Sequence, residues 1–256
     1  MRLDQYLVKS GICSRSEAKK IIKKGRVCVN DEVAADSALH IDEKSDVIKF
    51  DNNRIEYEEF RYFMLNKPAG CVSATKDGLS QTVIDLLKGE NTRDLFPVGR
   101  LDKDTEGLLL ITNDGKLAHE LLSPAHHVSK KYIAVASGKL SGEEMQSFSE
   151  GLDIGDDKMT MPAIISELEG KKCLAEELCD GWNVIGNMVD INNTYVYLVE
   201  IQEGRFHQIK RMFEAVGKQV VFLKRISMGT LILDNKLKPG SYRRLSAEEV
   251  LKLKER

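Results

Sequence analysis

Residues 99–115, GRLDKDTEGLLLITNDG, join a densely charged loop to an apolar strand. Five charged residues lie between Gly99 and Gly107, and the apolar run 108–111 follows at once. Glycines permit backbone angles that other residues avoid, and a loop carried by a rigid strand is a usual place for reactive groups. The stretch predicts a loop and strand that would present a reactive carboxylate if the chain is an enzyme. A charged turn whose carboxylates bond nearby amides is the alternative.

Strand-like and helix-like segments alternate around this stretch. The strand-like runs are YFMLN (62–66), GLLLIT (107–112), KYIAVAS (131–137), TYVYLVEI (194–201) and VVFLKRI (220–226). The helix-like stretches lie near 81–88, 116–122, 142–150 and 207–216. This mixture predicts an α+β domain with a mixed, largely antiparallel sheet flanked by helices. The poorly patterned stretch 170–193 is expected to form a surface hairpin or loop.

A small separate module precedes this domain. Ser14 and Glu17 have the spacing of a capping box and Gly25 is a plausible helix stop, which predicts a helix over 15–24. The alternating Val27 and Val29, a turn at 30–31 and then Val33 predict a strand, a turn and a strand. The polar segment 51–61, DNNRIEYEEFR, reads as a linker. We therefore expect one domain at 1–58 and a second at 59–256.

The N-terminal module is basic although the whole chain carries a formal charge of −2. Residues 1–30 contain eight basic and two acidic residues. Such a cluster suits contacts with phosphate, although a merely solvated lysine face is the alternative. The candidate RNA-binding residues of this module are Arg2, Arg15, Lys19, Lys20, Lys23, Lys24 and Arg26.

A second cationic cluster is EGRFHQIKRMF at 203–213. A helical wheel puts Ile209, Met212, Phe213 and Val216 on one narrow stripe and the cations on the opposite side. These cations are predicted to bind phosphate or to pair with a carboxylate elsewhere in the fold, whereas a solvated helix face is the alternative. The candidates are Arg205, His207, Lys210 and Arg211.

The sequence argues against several classes of protein and of binding site. The five cysteines include no C-x-x-C pair, and His126-His127 lacks companions at a metal-ligand spacing, so no disulfide framework and no metal site are expected. Phosphate-binding and dinucleotide-binding glycine motifs are missing, so no nucleotide cofactor is expected. We also expect no membrane segment, a cytoplasmic location and a monomer.

Three motifs together resemble one family. FMLNKPAG at 63–70, GRLDKDTEGLLLITNDG at 99–115 and EGRFHQIKRMF at 203–213 resemble the pseudouridine synthases of the RsuA type. The likeness continues in the family's order through 123–127, 131–132 and 215–229, and it covers nearly the whole chain. The N-terminal module resembles an S4 RNA-binding domain. The resemblance implies a pseudouridine synthase fold for the larger domain.

The resemblance also implies roles for single residues. Asp102 matches the family's essential aspartate, and Tyr132 matches its active-site tyrosine. Lys210 matches a basic position that pairs with the aspartate, although the neighbouring Arg211 is the other candidate. Leu223 matches an apolar residue packed beneath the site, and Arg100 matches an arginine that enters the RNA stack when the target base leaves.

The implied reaction turns a uridine of 16S rRNA into pseudouridine, at uridine 516, on rRNA or on an assembling small subunit. Reactant and product are isomers, so the reaction consumes no cofactor. The first event is attack by Asp102 either at the sugar C1′ or at C6 of the base. A large-subunit rRNA or tRNA pseudouridine synthase and a non-catalytic S4-type assembly protein are the other hypotheses.

Overall fold

The computed structural model describes residues 1–168 and 193–255 and contains two compact units. The first unit comprises 1–61 with 89–93, and the second comprises 62–88 with the described part of 94–256. The predicted domain border between 58 and 59 stays a prediction. The predicted loop or hairpin at 170–193 lies outside the described residues apart from its last position.

The first unit contains two helices and a small sheet. Its elements are α1 (Leu3–Lys9), α2 (Arg15–Lys23), β1 (Val27–Val29), β2 (Glu32–Val33), β3 (Ile48–Phe50) and β4 (Asn53–Arg54). The strands pair in the order β2-β1-β3-β4, and each neighbouring pair is antiparallel. Asn30 and Asp31 join β1 to β2 with φ of 51° and 69°, as a tight hairpin turn requires.

Helix α2 begins at Arg15, as the sequence predicts, and ends at Lys23, one residue before the predicted end. The Glu17 carboxylate accepts a hydrogen bond of 2.8 Å from the backbone N–H of Ser14, and Gly25 follows the helix with φ of 70°. Ala18 and Ile22 are buried in a core that also contains Leu3 and Leu7. The opposite face of the helix is left to solvent.

The second unit is built on a large sheet. Its elements in chain order are β5 (Tyr62–Lys67), β6 (Phe96–Pro97), β7 (Glu106–Thr112), α3 (Gly115–Leu122), β8 (Lys130–Ser137), α4 (Gly142–Glu150), β9 (Ile164–Glu167), β10 (Thr194–Ile201), α5 (Gln208–Ala215), β11 (Gln219–Met228), β12 (Leu231–Ile232), β13 (Tyr242–Arg244) and α6 (Ala247–Lys254). The sheet order is β13-β5-β7-β11-β8-β10-β9, with β6 on β7 and β12 on β11. Within the described strands, β7 and β11 form the parallel pair, so the prediction of a mixed, largely antiparallel sheet is confirmed.

Alternate residues of the sheet face two different cores. On β5 and β7, Phe63, Leu65, Leu109 and Ile111 belong to one buried cluster, which also contains Ile209, Met212 and Phe213 of α5. Their neighbours Met64, Leu108 and Leu110 belong to a second cluster, with Leu117 and Leu121 of α3 and Leu253 of α6. The period of two follows from the pleat of a strand, and it places α5 on the first face.

The predicted helix near 81–88 is wrong. This stretch contains a single 3-10 turn at Ile84–Leu86, and the residues around it are irregular. Asp85 accepts hydrogen bonds from both the backbone N–H and the hydroxyl of Thr82, so side-chain contacts hold this single turn together. Val83 and Leu87 are nevertheless buried in the first cluster. The spacing of these apolar residues therefore indicates that they are buried, and it does not indicate a helix.

Candidate active site

The Asp102 loop connects β6 to β7 and is tied to its surroundings by backbone contacts. The Ser73 hydroxyl donates to the carbonyl oxygen of Leu101 at 2.8 Å and accepts from the Leu101 N–H at 3.0 Å. The Thr105 N–H donates to the Asp102 carbonyl at 3.1 Å, and the Gly70 N–H donates to the Lys103 carbonyl at 2.7 Å. These bonds fix the backbone on both sides of Asp102.

Lys67 supports the Asp102 loop through hydrogen bonds to backbone carbonyl groups. Its side chain is fully buried, and its ammonium group donates to the carbonyl oxygens of Pro68, Lys103 and Thr105 at 3.1, 3.2 and 2.8 Å. Burial lowers the pKa of Lys67, because the charged form loses its water. Sequence reasoning placed Lys67 in a family motif but gave it no role. The sequence showed only a lysine at the end of a mostly apolar run, which does not by itself indicate support of a loop.

The Asp102 carboxylate lies beside two side chains contributed by α5 and its N-terminal end. Lys210 Nζ is 3.3 Å from Asp102 Oδ2, and His207 Nε2 is 3.5 Å from Asp102 Oδ1. Lys210 also donates to Asp104 Oδ1 at 2.6 Å. Burial raises the pKa of Asp104, but the hydrogen bond and the charge of Lys210 outweigh burial, so this pKa lies below its ordinary value. Lys210 thus serves two carboxylates of one loop.

His207 reaches Asp102 because of an unusual backbone conformation. It precedes α5 with φ of 49° and ψ of 32°, the left-handed region that residues with a side chain rarely adopt. Its ring stacks on that of Phe206, with centroids 3.8 Å apart and an angle of 16° between the planes. Sequence reasoning placed His207 among the RNA-binding cations, whereas the structure puts its ring beside the candidate catalytic carboxylate.

Four residues on neighbouring strands are paired in one row across the sheet, beginning at the end of β5. Register pairs Lys67 with Gly107, Gly107 with Arg225, and Arg225 with Tyr132. Gly107 has φ of 98°, and a Cβ there would lie 2.2 Å from the Arg225 carbonyl oxygen, so this close strand approach requires glycine. Arg225 is 2% exposed and donates from Nε to the Leu108 carbonyl at 2.8 Å. Its Nη2 has no hydrogen-bond partner among residues 1–168 and 193–255.

Tyr132 and Leu223 lie on the same face of the sheet as this row. Both belong to the buried cluster that also contains Leu101, the residue before Asp102, and Ile209, the residue before Lys210. The Tyr132 ring is 7% exposed, and its hydroxyl makes no hydrogen bond to any residue that the structure describes. Leu223 is paired with Ala134 on the neighbouring strand. Arg100, within the loop and two residues before Asp102, is exposed.

Two of the predicted RNA-binding cations make hydrogen bonds and ion pairs within the protein. Arg205 donates to the carbonyls of Lys158 and Met159 at 2.6 and 2.7 Å and pairs with Glu203 at 3.0 Å. Arg211 pairs with Asp156 at 2.6 Å and donates to the Phe206 carbonyl at 3.1 Å. Both guanidinium groups therefore fasten the segment 154–159 and the N-terminal end of α5, and their contacts with RNA stay predictions.

The basic residues of the first unit divide into two groups. Arg2 pairs with Asp4 at 2.8 Å, and Arg26 pairs with Asp51. Five residues on or next to α2 are exposed, and their side chains make no hydrogen bond or salt bridge to the described part of the chain: Arg15, Lys19, Lys20, Lys23 and Lys24. This second group forms the solvent-facing cationic surface of the unit.

Among the described residues, no group of three His, Cys, Asp or Glu side chains is arranged to hold a metal ion. Within the same ranges, no helix has the length and apolar character needed to cross a membrane.

Comparison with known proteins gives concordant matches over the whole chain. The model of the RNA pseudouridylate synthase family matches residues 61–215, and that of the S4 domain matches residues 1–48. A Bacillus subtilis protein named "Uncharacterized RNA pseudouridine synthase YtzG" is 43% identical over 256 residues, covering 100% of this chain and 99% of the relative. "Ribosomal small subunit pseudouridine synthase A" of Vibrio cholerae is 36% identical and covers 98% of each chain.

A solved structure agrees with these relatives. The structure titled "Crystal structure of pseudouridylate synthase" matches with a TM-score of 0.63 and 33% identity, and the match covers 99% of both chains. The predicted S4 module and pseudouridine synthase fold are therefore confirmed. With a family model over more than half of its length and relatives that match it from end to end, this chain belongs to the RNA pseudouridylate synthase family.

Proposed function

We propose that this pseudouridine synthase isomerises a uridine of 16S rRNA, with uridine 516 as the target and Asp102 as the nucleophile. The printed name of the Vibrio cholerae relative, which aligns over 98% of each chain, supports the small subunit as the substrate. The observation that carries the assignment of Asp102 is its carboxylate lying 3.3 Å from Lys210 and 3.5 Å from His207 on an anchored loop.

The chemistry suits an aspartate. An ordinary aspartate is ionised at neutral pH and attacks without first losing a proton, and a neighbouring ammonium group favours the ionised form. Asp102 attacks either C1′ of the ribose, with departure of the uracil, or C6 of the base. The base then turns and C5 bonds to C1′. On the C1′ path this bond displaces the Asp102 carboxylate from C1′; on the C6 path the N1–C1′ bond breaks as the base turns, and the Asp102–C6 bond breaks afterwards. On either path the C5 proton leaves and N1 gains a proton. Atoms and electrons balance, so the reaction needs no oxidant or reductant.

Tyr132 and Arg100 are proposed to handle the displaced base. A base inside a helix is out of reach of a side chain, and extracting it costs on the order of a few kcal/mol. Arg100 is exposed just before Asp102 and would fill the gap in the stack. The Tyr132 ring would contact the extracted uracil, and its hydroxyl would take part in moving the C5 proton. Leu223 would support this contact from the same face of the sheet.

The S4 unit is proposed to supply phosphate contacts through Arg15, Lys19, Lys20, Lys23 and Lys24. Phosphate contacts increase affinity but carry little sequence information. Selection of one uridine then depends on the shape of folded rRNA or of an assembling small subunit. We place the protein, as a monomer, in the cytoplasm where ribosomes assemble.

The test is to map pseudouridine at nucleotide resolution after incubating the purified protein with each of several RNAs. These are naked 16S rRNA, partially assembled small subunits, 23S rRNA and tRNA. We expect product at uridine 516 on one of the first two. Asp102→Asn is expected to form no product while still binding 16S rRNA. Product confined to 23S rRNA or tRNA would overturn the choice of substrate, and full activity of Asp102→Asn would overturn the role of the carboxylate.

A further inference from the structure

An exposed aromatic ring stands next to the candidate nucleophile. Phe206 is 74% exposed, although a phenylalanine usually contributes its ring to a core. One face of the ring is covered by the parallel ring of His207, at a centroid distance of 3.8 Å. Since His207 Nε2 lies 3.5 Å from Asp102, the two rings form a stack that leads from solvent to the carboxylate.

The exposure of Phe206 does not come from a loosely held segment. On one side, Arg205 is fastened to Glu203 and to the carbonyls of Lys158 and Met159. On the other side, the Arg211 N–H donates to the His207 carbonyl at 3.0 Å, and the Arg211 side chain donates to the Phe206 carbonyl at 3.1 Å. These contacts hold the backbone on both sides of Phe206, and its ring is exposed from this anchored segment.

We propose that Phe206 is a stacking platform for an unpaired RNA base that neighbours the target uridine. This inference rests on the proposed function. Extracting the uridine breaks its stack with the adjacent bases, and a preplaced aromatic face offers one of them a new partner. Phe206 then positions RNA through stacking, and the left-handed backbone at His207 is what turns the platform and the imidazole toward the same site.

The first test compares two substitutions for their effect on RNA affinity. In the Asp102→Asn background, Phe206→Leu removes the ring and keeps an apolar side chain, whereas Phe206→Tyr keeps the ring. We expect the Kd for naked 16S rRNA to rise about tenfold with Phe206→Leu and to stay near the parent value with Phe206→Tyr. Equal affinities of the two variants would overturn the platform.

The same pair in the active enzyme separates stacking from an indirect effect. We expect Phe206→Leu to raise KM for 16S rRNA and to change kcat little, because the platform acts on binding. A fall in kcat with unchanged RNA affinity would overturn the proposal, because it would confine the role of Phe206 to holding His207 against Asp102.

A fluorescence measurement tests the contact without relying on activity. The chain's single tryptophan, Trp182, is replaced in Trp182→Phe, and Phe206→Trp then supplies the sole indole. We expect an unpaired oligoribonucleotide and 16S rRNA to quench this indole, and the same oligonucleotide in a perfect duplex to quench it much less. The control places the indole at another exposed apolar position, with Ile232→Trp, where no RNA-dependent quenching is expected.

Quenching that is equal at positions 206 and 232 would overturn the platform, and so would quenching by duplex as strong as by single strand. An absence of RNA-dependent quenching at 206 would overturn it as well. These outcomes differ from failure of the proposed function, which appears as a lack of pseudouridine in RNA treated with the unmodified enzyme.

Discussion

The ammonium nitrogen of Lys210 lies 3.3 Å from Oδ2 of Asp102 and 2.6 Å from Oδ1 of Asp104. The Asp104 side chain is 72% exposed, whereas those of Asp102 and Lys210 are 21% and 18% exposed. Water and salt weaken exposed ion pairs, so the shorter contact is not necessarily the stronger one. We expect catalysis to depend on the longer, more buried contact.

Lys210→Gln is therefore predicted to slow pseudouridine formation on the order of 100-fold, because the reacting carboxylate loses its nearest cation. Single-turnover rates at saturating enzyme measure the effect without a contribution from product release. Asp104→Asn serves as the control and should change the rate far less. Equal losses in the two variants would show that Lys210 acts mainly through Asp104.

Lys67→Met is predicted to loosen the Asp102 loop and to lower the free energy of unfolding. The substitution removes the donor shared by the carbonyls of Pro68, Lys103 and Thr105, and buried acceptors without a partner are costly. Hydrogen exchange of peptides covering 99–107 should speed up, and pseudouridine formation should fall. Lys116→Met, at an exposed position of α3, is the matched control. Unchanged exchange in 99–107 would argue against Lys67 as the support of the loop.

Gly107→Ala is predicted to lower the free energy of unfolding by about 2 kcal/mol or more, because the new Cβ meets the Arg225 carbonyl at a positive φ. Urea unfolding of the variant and the wild type measures the difference. Gly115→Ala is the control, since a Cβ at that position meets nothing within 4 Å. A loss in Gly107→Ala no greater than in the control would refute the close strand approach.

Glu249 is predicted to make stability depend on acid pH. The bidentate hydrogen bonds of Arg243 hold the pKa of this carboxyl below its ordinary value, against a smaller opposing effect of burial. A carboxyl with a lowered pKa stabilises the fold above its unfolded-state pKa, and that stabilisation is lost as the pH falls through the folded-state pKa.

The stability of the wild type should therefore exceed that of Glu249→Gln at neutral pH, and the difference should shrink below about pH 4. Urea unfolding across this range provides the measurement. Glu248→Gln removes a carboxylate that pairs with Lys252 at 2.6 Å on the exposed side of α6, and it should show a smaller difference at neutral pH. A gap between wild type and Glu249→Gln that is constant with pH would contradict the assignment.

Local patterns in the sequence predicted most of the secondary structure. The capping residues Ser14 and Glu17 and the alternation of Val27 and Val29 act over a few residues, and the structure has α2 and the β1–β2 hairpin at these places. The prediction of a helix at 81–88 was wrong because the buried residues of this stretch belong to an irregular segment. Apolar spacing reports which residues are buried, but pairing of the backbone decides whether they form a helix.

The candidate site was harder to predict because its parts meet through the sheet. The resemblance supplied Asp102, Tyr132 and Lys210, and the structure brings Lys210 to Asp102 by packing α5 on the sheet. No local pattern indicates that Lys67 supports the loop or that His207 turns toward Asp102. The first depends on the register of β5 with β7, and the second depends on one left-handed residue. The catalytic roles themselves stay predictions.

The parallel pairing of β7 with β11 also has a consequence during synthesis of the chain. β7 begins at residue 106, and its neighbour in the sheet, β11, begins at residue 219. A ribosome adds about 5–20 residues per second. About 5–20 seconds therefore pass between synthesis of the Asp102 loop and synthesis of β11, the strand that joins the two halves of the sheet. A nascent chain therefore carries the proposed nucleophile long before it has a site, and it becomes competent to modify RNA only after β11 has been synthesised.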